Sequence, residues 1–208
     1  MQRRVRQESE PCVGGASAIR PICPIGPIDP MRELSMHILD LAQNSIVAGA
    51  TKIEIDVIAD AAADTLAIAI RDDGKGMSPE FVAEVQDPFT TTRTTRRVGL
   101  GIPMFAQGAR ECDGDLTVQS QVGKGTSVEA TFKLGHIDRA PLGDIASTLI
   151  ALIAANPDID IIYRQQADAT EFALDTRDIK AQLDGVPINE NAVLKWIAEY
   201  VNENSAID

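Results

Sequence analysis

The stretch TLAIAIRDDGKGM, residues 65–77, constrains this chain more than any other. A run of apolar and β-branched residues, the composition of a buried strand, breaks off into two aspartates and a glycine-punctuated turn. Gly74 and Gly76 allow a backbone to come close to a planar ring, because they lack the side chain that would hold it away. Asp72, where the strand ends, offers a carboxylate beside that bare backbone. Buried there, it can accept a hydrogen bond from an exocyclic amine and so tell adenine from guanine. The plain alternative is an Asp-Gly turn with no ligand.

The flanking segments alternate between helical and strand-like patterns. From Met31 to Gly49, Leu34, Ile38, Leu41, Ala42 and Ile46 recur at helical spacing, and Gly49 supplies a stop. KIEIDVIA (52–59) alternates as a half-buried strand and is expected to pair antiparallel with TLAIAIRD (65–72). Ser78, Pro79 and Glu80 open a helix over 78–85. PFTTTRTTRR (88–97) has no period and reads as a loop, followed by a helix from about Leu100 to Cys112. Strands DLTVQS and GTSVEATFKL come next, joined by a turn at 123–125.

Two further patterns carry chemistry. Asp40 and Asn44 lie four apart and share a helix face, so one surface offers a carboxylate to orient or deprotonate water and an amide oxygen to ligate Mg²⁺. The plain alternative is a solvated helix face. Gly99 and Gly101 stand directly before a helix, whose first amides and positive dipole end suit a phosphate. The pair is neither a P-loop, lacking the following Lys-Ser or Lys-Thr, nor a dinucleotide fingerprint, lacking the strand before it.

The Asn44 helix, DDGKGM, the DPFTTTR loop, Gly-Leu-Gly at 99–101 and GKGT at 123–126, in that order, resemble the GHKL ATPase superfamily of gyrase, heat-shock chaperones, histidine kinases and MutL. The resemblance covers residues 31–134 and is closest to a histidine-kinase-like ATP-binding domain without a phosphoacceptor domain. It implies an α+β chain: a two-layer sandwich with the left-handed β-α-β Bergerat ATP-binding fold, a mixed or antiparallel sheet covered by helices; the small C-terminal α/β subdomain is read separately, from residues 137–208. NSIVAGATKIEIDV looks most like MutL, and DPFTTTRTTRRVGLGIPMF like the short lid of NtrB-type kinases.

The resemblance implies ATP and Mg²⁺ as cofactors and assigns roles position by position. Asn44 matches the Mg²⁺-chelating asparagine and Asp72 the aspartate that binds the adenine amine. Gly74, Gly76 and Met77 match the adenine pocket, and Gly99, Leu100 and Gly101 the phosphate-facing glycine segment. Thr126 matches the threonine that supports adenine through a water. Phe89, Thr91, Thr92, Arg93 and Arg97 fall in the lid. Arg97 replaces a glycine common in kinases, and with Arg93 and Arg96 could clamp the γ-phosphate. Asp40 stands where many members carry a catalytic glutamate; one methylene shorter, it is expected to slow hydrolysis by on the order of 10²-fold.

Composition narrows the rest. Residues 1–30 hold five prolines, three glycines and no apolar period, and read as a flexible extension, with Met31 a candidate start. Residues 31–136 carry the motifs, and 137–208, with 13 acidic against 5 basic side chains, read as a separate acidic α/β subdomain: a helix over 142–155, strands IDIIYR and TEFALD, and helices near 177–183 and 190–202. No apolar run approaches the ~20 residues of a membrane helix and no secretory signal is evident, so a soluble cytoplasmic protein is expected. The net charge of −12 argues against nucleic acid, and Cys12, Cys23 and Cys112 form no zinc pattern.

Histidine-kinase activity proper needs a phosphoacceptor histidine on a dimerising helix pair. Only His37 and His136 are present, and His37 lies inside the Asn44 helix with no acidic residue after it. The expected function is therefore a Mg-ATP-binding regulatory protein whose lid closure controls a protein partner through the acidic C-terminal part, with slow hydrolysis. Two alternatives stand beside it: a serine or threonine protein kinase of the anti-sigma-factor type with Asp40 as base, and a binding-only nucleotide sensor. The HIDRAPLGDIA segment is also similar to small ATP-binding proteins of anaerobic bacteria found near iron-sulfur and hydrogenase proteins, which implies a redox-linked partner. The oligomeric state is left open, a homodimer among the options.

Overall fold

The structure is a computed structural model that describes residues 33–86 and 101–207. Strand β1 (Lys52–Asp60) sets the layering by its alternation. Ile53, Ile55 and Val57 are fully buried, while Glu54 and Asp56 point to the other side. There they meet Arg71 from β2 (Thr65–Asp72) and Arg164 from β5 (Asp160–Ala167): Arg71 with Asp56, and Arg164 at 3.3 Å from Glu54 and 3.1 Å from Asp56. One face of the sheet is thus apolar and the other carries ion pairs whose exposure limits each to about 1 kcal/mol or less.

β3 (Asp115–Gln121), β4 (Gly125–Lys133) and β6 (Thr170–Asp175) complete a six-stranded sheet in the order β3-β4-β2-β1-β5-β6. β1 runs parallel to β5; all other neighbours are antiparallel. The helices are α1 (Leu34–Val47), α2 (Pro79–Gln86), α3 (Gly101–Glu111), α4 (Ile145–Ala155), α5 (Thr176–Gln182) and α6 (Asn191–Asn204). The chain is α+β, as the sequence implies. Phe105 of α3 stacks on His37 of α1 and tilts against Phe132 of β4, knitting two helices to the sheet.

The change of composition at residue 137 does not coincide with a break in the sheet or the core. β5 adds to the outer side of β1 over eight paired positions, Lys52–Asp160 to Ala59–Ala167. α4, with Leu149 and Leu152 buried, packs on α1 and α6. The first amides of α1, which lacks a side-chain cap, donate instead to backbone carbonyls of the later segment: Leu34 to Pro141 at 2.9 Å and Ser35 to Leu142 at 2.8 Å. The acidic surplus is a property of that segment's surface, and its apolar residues belong to the same core as those before it. Among the described residues no helix is long and apolar enough to cross a membrane.

Candidate functional site

Asp40 and Asn44 occupy successive turns of α1, and Ser45 lies beside Asn44 on the side that faces β2. The Ser45 hydroxyl donates to Asp72 Oδ2 at 2.7 Å. The carbonyl of Leu41 is 3.3 Å from the same hydroxyl, but a hydroxyl has one proton and the shorter, charged acceptor takes it. The Gly74 amide donates to Asp72 Oδ1 at 2.9 Å. Each carboxylate oxygen is therefore fixed by one donor and keeps lone-pair capacity for another.

Asp72 lines a cavity of about 690 Å³ whose wall includes Asn44, Gly76, Met77 and Thr126. The size lies within the roughly 300–1,000 Å³ typical of small-molecule sites, and the lining fits that class: apolar side chains such as Leu41, Ile102 and Val128 with a few polar groups set among them.

The glycine spacing has a steric cause. Asp72 of β2 sits opposite Thr126 of β4, which brings the turn after β2 against the turn between β3 and β4. A side chain at Gly125 would place its Cβ 1.8 Å from the Asp72 carbonyl oxygen, and one at Gly76, where φ is +64°, would place it 2.0 Å from the Gln121 carbonyl oxygen. Ser120 is the polar hub of the contact: its Oγ accepts from the Met77 amide at 2.8 Å and donates to the Gly125 carbonyl at 2.9 Å. With its proton so used, Ser120 accepts from the Thr126 hydroxyl at 2.9 Å.

Asp73 latches the loop to the start of β1, accepting from Thr51 N at 2.7 Å, Thr51 Oγ1 at 2.6 Å and Lys52 N at 2.9 Å. Burial works against its charge, but these bonds outweigh that and hold the carboxyl below the usual carboxylate range.

Asp40 lies at the N-terminus of α3: a Cβ at Gly101 would come within 3.3 Å of Asp40 Cβ and 3.4 Å of Oδ2. The positive end of the helix dipole favours a carboxylate there. Behind it, His37 is 7% exposed, stacks on Phe105 at 5.0 Å, and has an Nδ1 without a hydrogen-bond partner among the described residues. Burial lowers its pKa below the ordinary imidazole value, and the charge of Asp40 offsets part of the shift.

The structure thus brings together Asn44, Asp72, Gly76, Met77 and Thr126 around one cavity, with Gly74 behind Asp72 and Asp40 beside Gly101. Phe89, Thr91, Thr92, Arg93, Arg96, Arg97, Gly99 and Leu100 lie outside the described residues. Sequence reasoning missed Ser45, Asp73, Ser120 and the cavity-lining Lys75. Ser45 and Asp73 each adjoin a residue it singled out, but only the pairing of distant segments reveals what they touch.

Residues 31–136 match the family described as histidine kinase-, DNA gyrase B-, and HSP90-like ATPase. The sensor protein kinase FleS of Pseudomonas aeruginosa is 38% identical over 108 residues, 52% of this chain and 26% of that one. Sporulation kinase C of Bacillus subtilis is 33% identical over 67 residues, 32% of this chain and 15% of that one. The matched region is therefore about a quarter or less of the length of these curated relatives. The MutL ATPase domain of Aquifex aeolicus, solved in complex with ADP, is similar with a TM-score of 0.44 at 16% identity, over 65% of this chain and 61% of that one. The family match takes in half of the chain and every element that lines the cavity, and the chain belongs to the HATPase_c family of histidine kinase-, DNA gyrase B- and HSP90-like ATPases.

Proposed function

We propose that the chain is a Mg-ATP-binding regulatory protein in which nucleotide held between α1, β2 and β4 changes how the protein meets a partner protein. The observation that carries this reading is the Asp72 carboxylate, fixed on the cavity wall by Ser45 at 2.7 Å and by the Gly74 amide at 2.9 Å. An adenine amine finds a preformed acceptor there, whereas the guanine carbonyl at the same place meets a negative charge. Bare backbone at Gly74 and Gly76 and the thioether of Met77 suit the flat ring. Thr126 presents its hydroxyl oxygen as an acceptor for a bridging water.

Asn44, exposed on α1 at the same cavity, carries the amide oxygen that a hard cation prefers. Mg²⁺ bound there would neutralise charge on the phosphates. The N-terminus of α3 at Gly101 suits a phosphate, and Asp40 beside it is the group to orient or deprotonate a water.

Incubation of the full chain with γ-labelled ATP and Mg²⁺, followed by separation of free phosphate, protein-bound label and intact nucleotide, tests the proposal. Mg²⁺-dependent retention of nucleotide with slow release of phosphate, lost in Asp40→Ala, is the expected result. Label transferred to protein would replace this reading by a kinase, and intact bound ATP by a sensor. No retained nucleotide would overturn all three.

A further inference from the structure

A second cavity, of about 650 Å³, lies among β6, α5 and α6. Leu174, Ile179, Leu183 and Val193 give it an apolar wall, and the rings of Trp196 and Tyr200 complete it. α6 turns Ile197 and Val201 into the core, which leaves Trp196 and Tyr200, one turn apart, 49% and 37% exposed. Their rings stack at 5.3 Å with only 7° between planes, and Tyr200 meets Phe172 edge-on at 5.4 Å. The aromatic wall is braced before anything binds. Exposed aromatic area of this kind marks interaction surfaces, where Trp and Tyr carry much of the binding energy. Here the charged groups of the lining are two carboxylates, Asp175 and Asp178.

Charge selects the partner. Neighbouring cations are already engaged: Arg177 with Asp175 at 2.6 Å, Lys180 with Asp160 at 2.8 Å and Lys195 with Glu199 at 3.8 Å. Asp178 in the lining, Asp184 next to Leu183 and Glu190 at the N-cap position of α6 are exposed and make no salt bridge among the described residues. A second copy of this chain docking by a two-fold axis would set this acidic rim against itself.

We propose that this groove docks a basic amphipathic helix of a protein partner, its apolar side chains seated between α5 and α6 against Trp196 and its lysines or arginines over the carboxylate rim. This rests on the reading that a partner is regulated, and it uses a surface formed by elements other than those lining the nucleotide cavity.

Trp196 is the chain's single tryptophan, so its fluorescence reports from the groove itself. The probe is a synthetic helical peptide of about 18 residues with leucines at i, i+3, i+4 and i+7 and lysines elsewhere, its control the same peptide with glutamates for the lysines. A saturable blue shift of Trp196 emission with the basic peptide, weakening as salt rises and absent with the acidic control, is expected. Leu183→Arg and Tyr200→Ala should each lower that affinity about tenfold or more. Both variants should keep the thermal stabilisation by ATP, which reads the fold and the nucleotide site separately. No response to the basic peptide, equal response to both, or a concentration-dependent shift without peptide that shows self-association would each overturn the proposal. Stabilisation by ATP without peptide binding would overturn it alone, and peptide binding without ATP stabilisation would overturn the nucleotide reading alone.

Discussion

Replacing Ser45 by alanine removes one hydroxyl and leaves the Asp72 carboxylate in place, so it tests whether the acceptor must be held as well as present. Two donors fix that group, the Ser45 hydroxyl at 2.7 Å and the Gly74 amide at 2.9 Å. A hydrogen bond to a charged acceptor contributes about 1.5–3 kcal/mol. In Ser45→Ala the Gly74 amide still holds one oxygen, and the free protein regains part of the loss as the other oxygen meets water in the cavity. About half of the bond, roughly 0.75–1.5 kcal/mol, should then appear as lost adenine affinity, a Kd weaker by about four- to twelvefold. GTP affinity should not change, so the ATP to GTP preference should fall by the same factor. Isothermal titration with both nucleotides measures this, and thermal melting without nucleotide checks that the fold is intact. Unchanged ATP affinity in a folded Ser45→Ala protein would refute the idea that the carboxylate is preset for the adenine amine.

Asp72→Asn should weaken ATP binding by about 1–3 kcal/mol, because the amide can present a donor to the adenine amine; the same titration reads it. Gly125→Ala should be poorly folded or lose nucleotide affinity, since its Cβ would lie 1.8 Å from the Asp72 carbonyl oxygen; circular dichroism and ATP titration separate the two. Asp73→Ala should cost about 1–2 kcal/mol of stability by freeing the loop from Thr51 and Lys52, measured by denaturant unfolding. His37 has a folded pKa below its unfolded value, so the unfolded chain takes up its proton first. The stability it supports is complete above the ordinary imidazole pKa and declines as pH falls below it. Melting temperature should begin to drop as pH falls below about 6.5, the ordinary imidazole value, and the drop should shrink in His37→Gln.

Local elements were legible because their signals are local. The period of Leu34, Ile38, Leu41 and Ile46 places α1, and the alternation around Ile53 and Ile55 gives the first hairpin with Asp72 at its end. The site was legible where a motif forces geometry: Gly76 and Gly125 are glycines because two turns pack against each other. The parallel pairing of β5 with β1 joins residues more than a hundred positions apart and leaves no mark on either strand, so the charge change at residue 137 stood out instead. Ser45 and Ser120 were missed for the same reason. A hydroxyl has no periodic signature, and its role comes from partners that only folding supplies.

The most direct measurement is equilibrium binding of ATP to the full chain with Mg²⁺ and with a chelator in its place, repeated with GTP and with Asn44→Ala. Saturable binding that prefers ATP over GTP, weakens without Mg²⁺, and loses that Mg²⁺ dependence in a folded Asn44→Ala protein is the expected result. Equal binding of ATP and GTP, or an Asn44→Ala protein that responds to Mg²⁺ as the unmodified chain does, would contradict the assignment of this cavity as a Mg-ATP site.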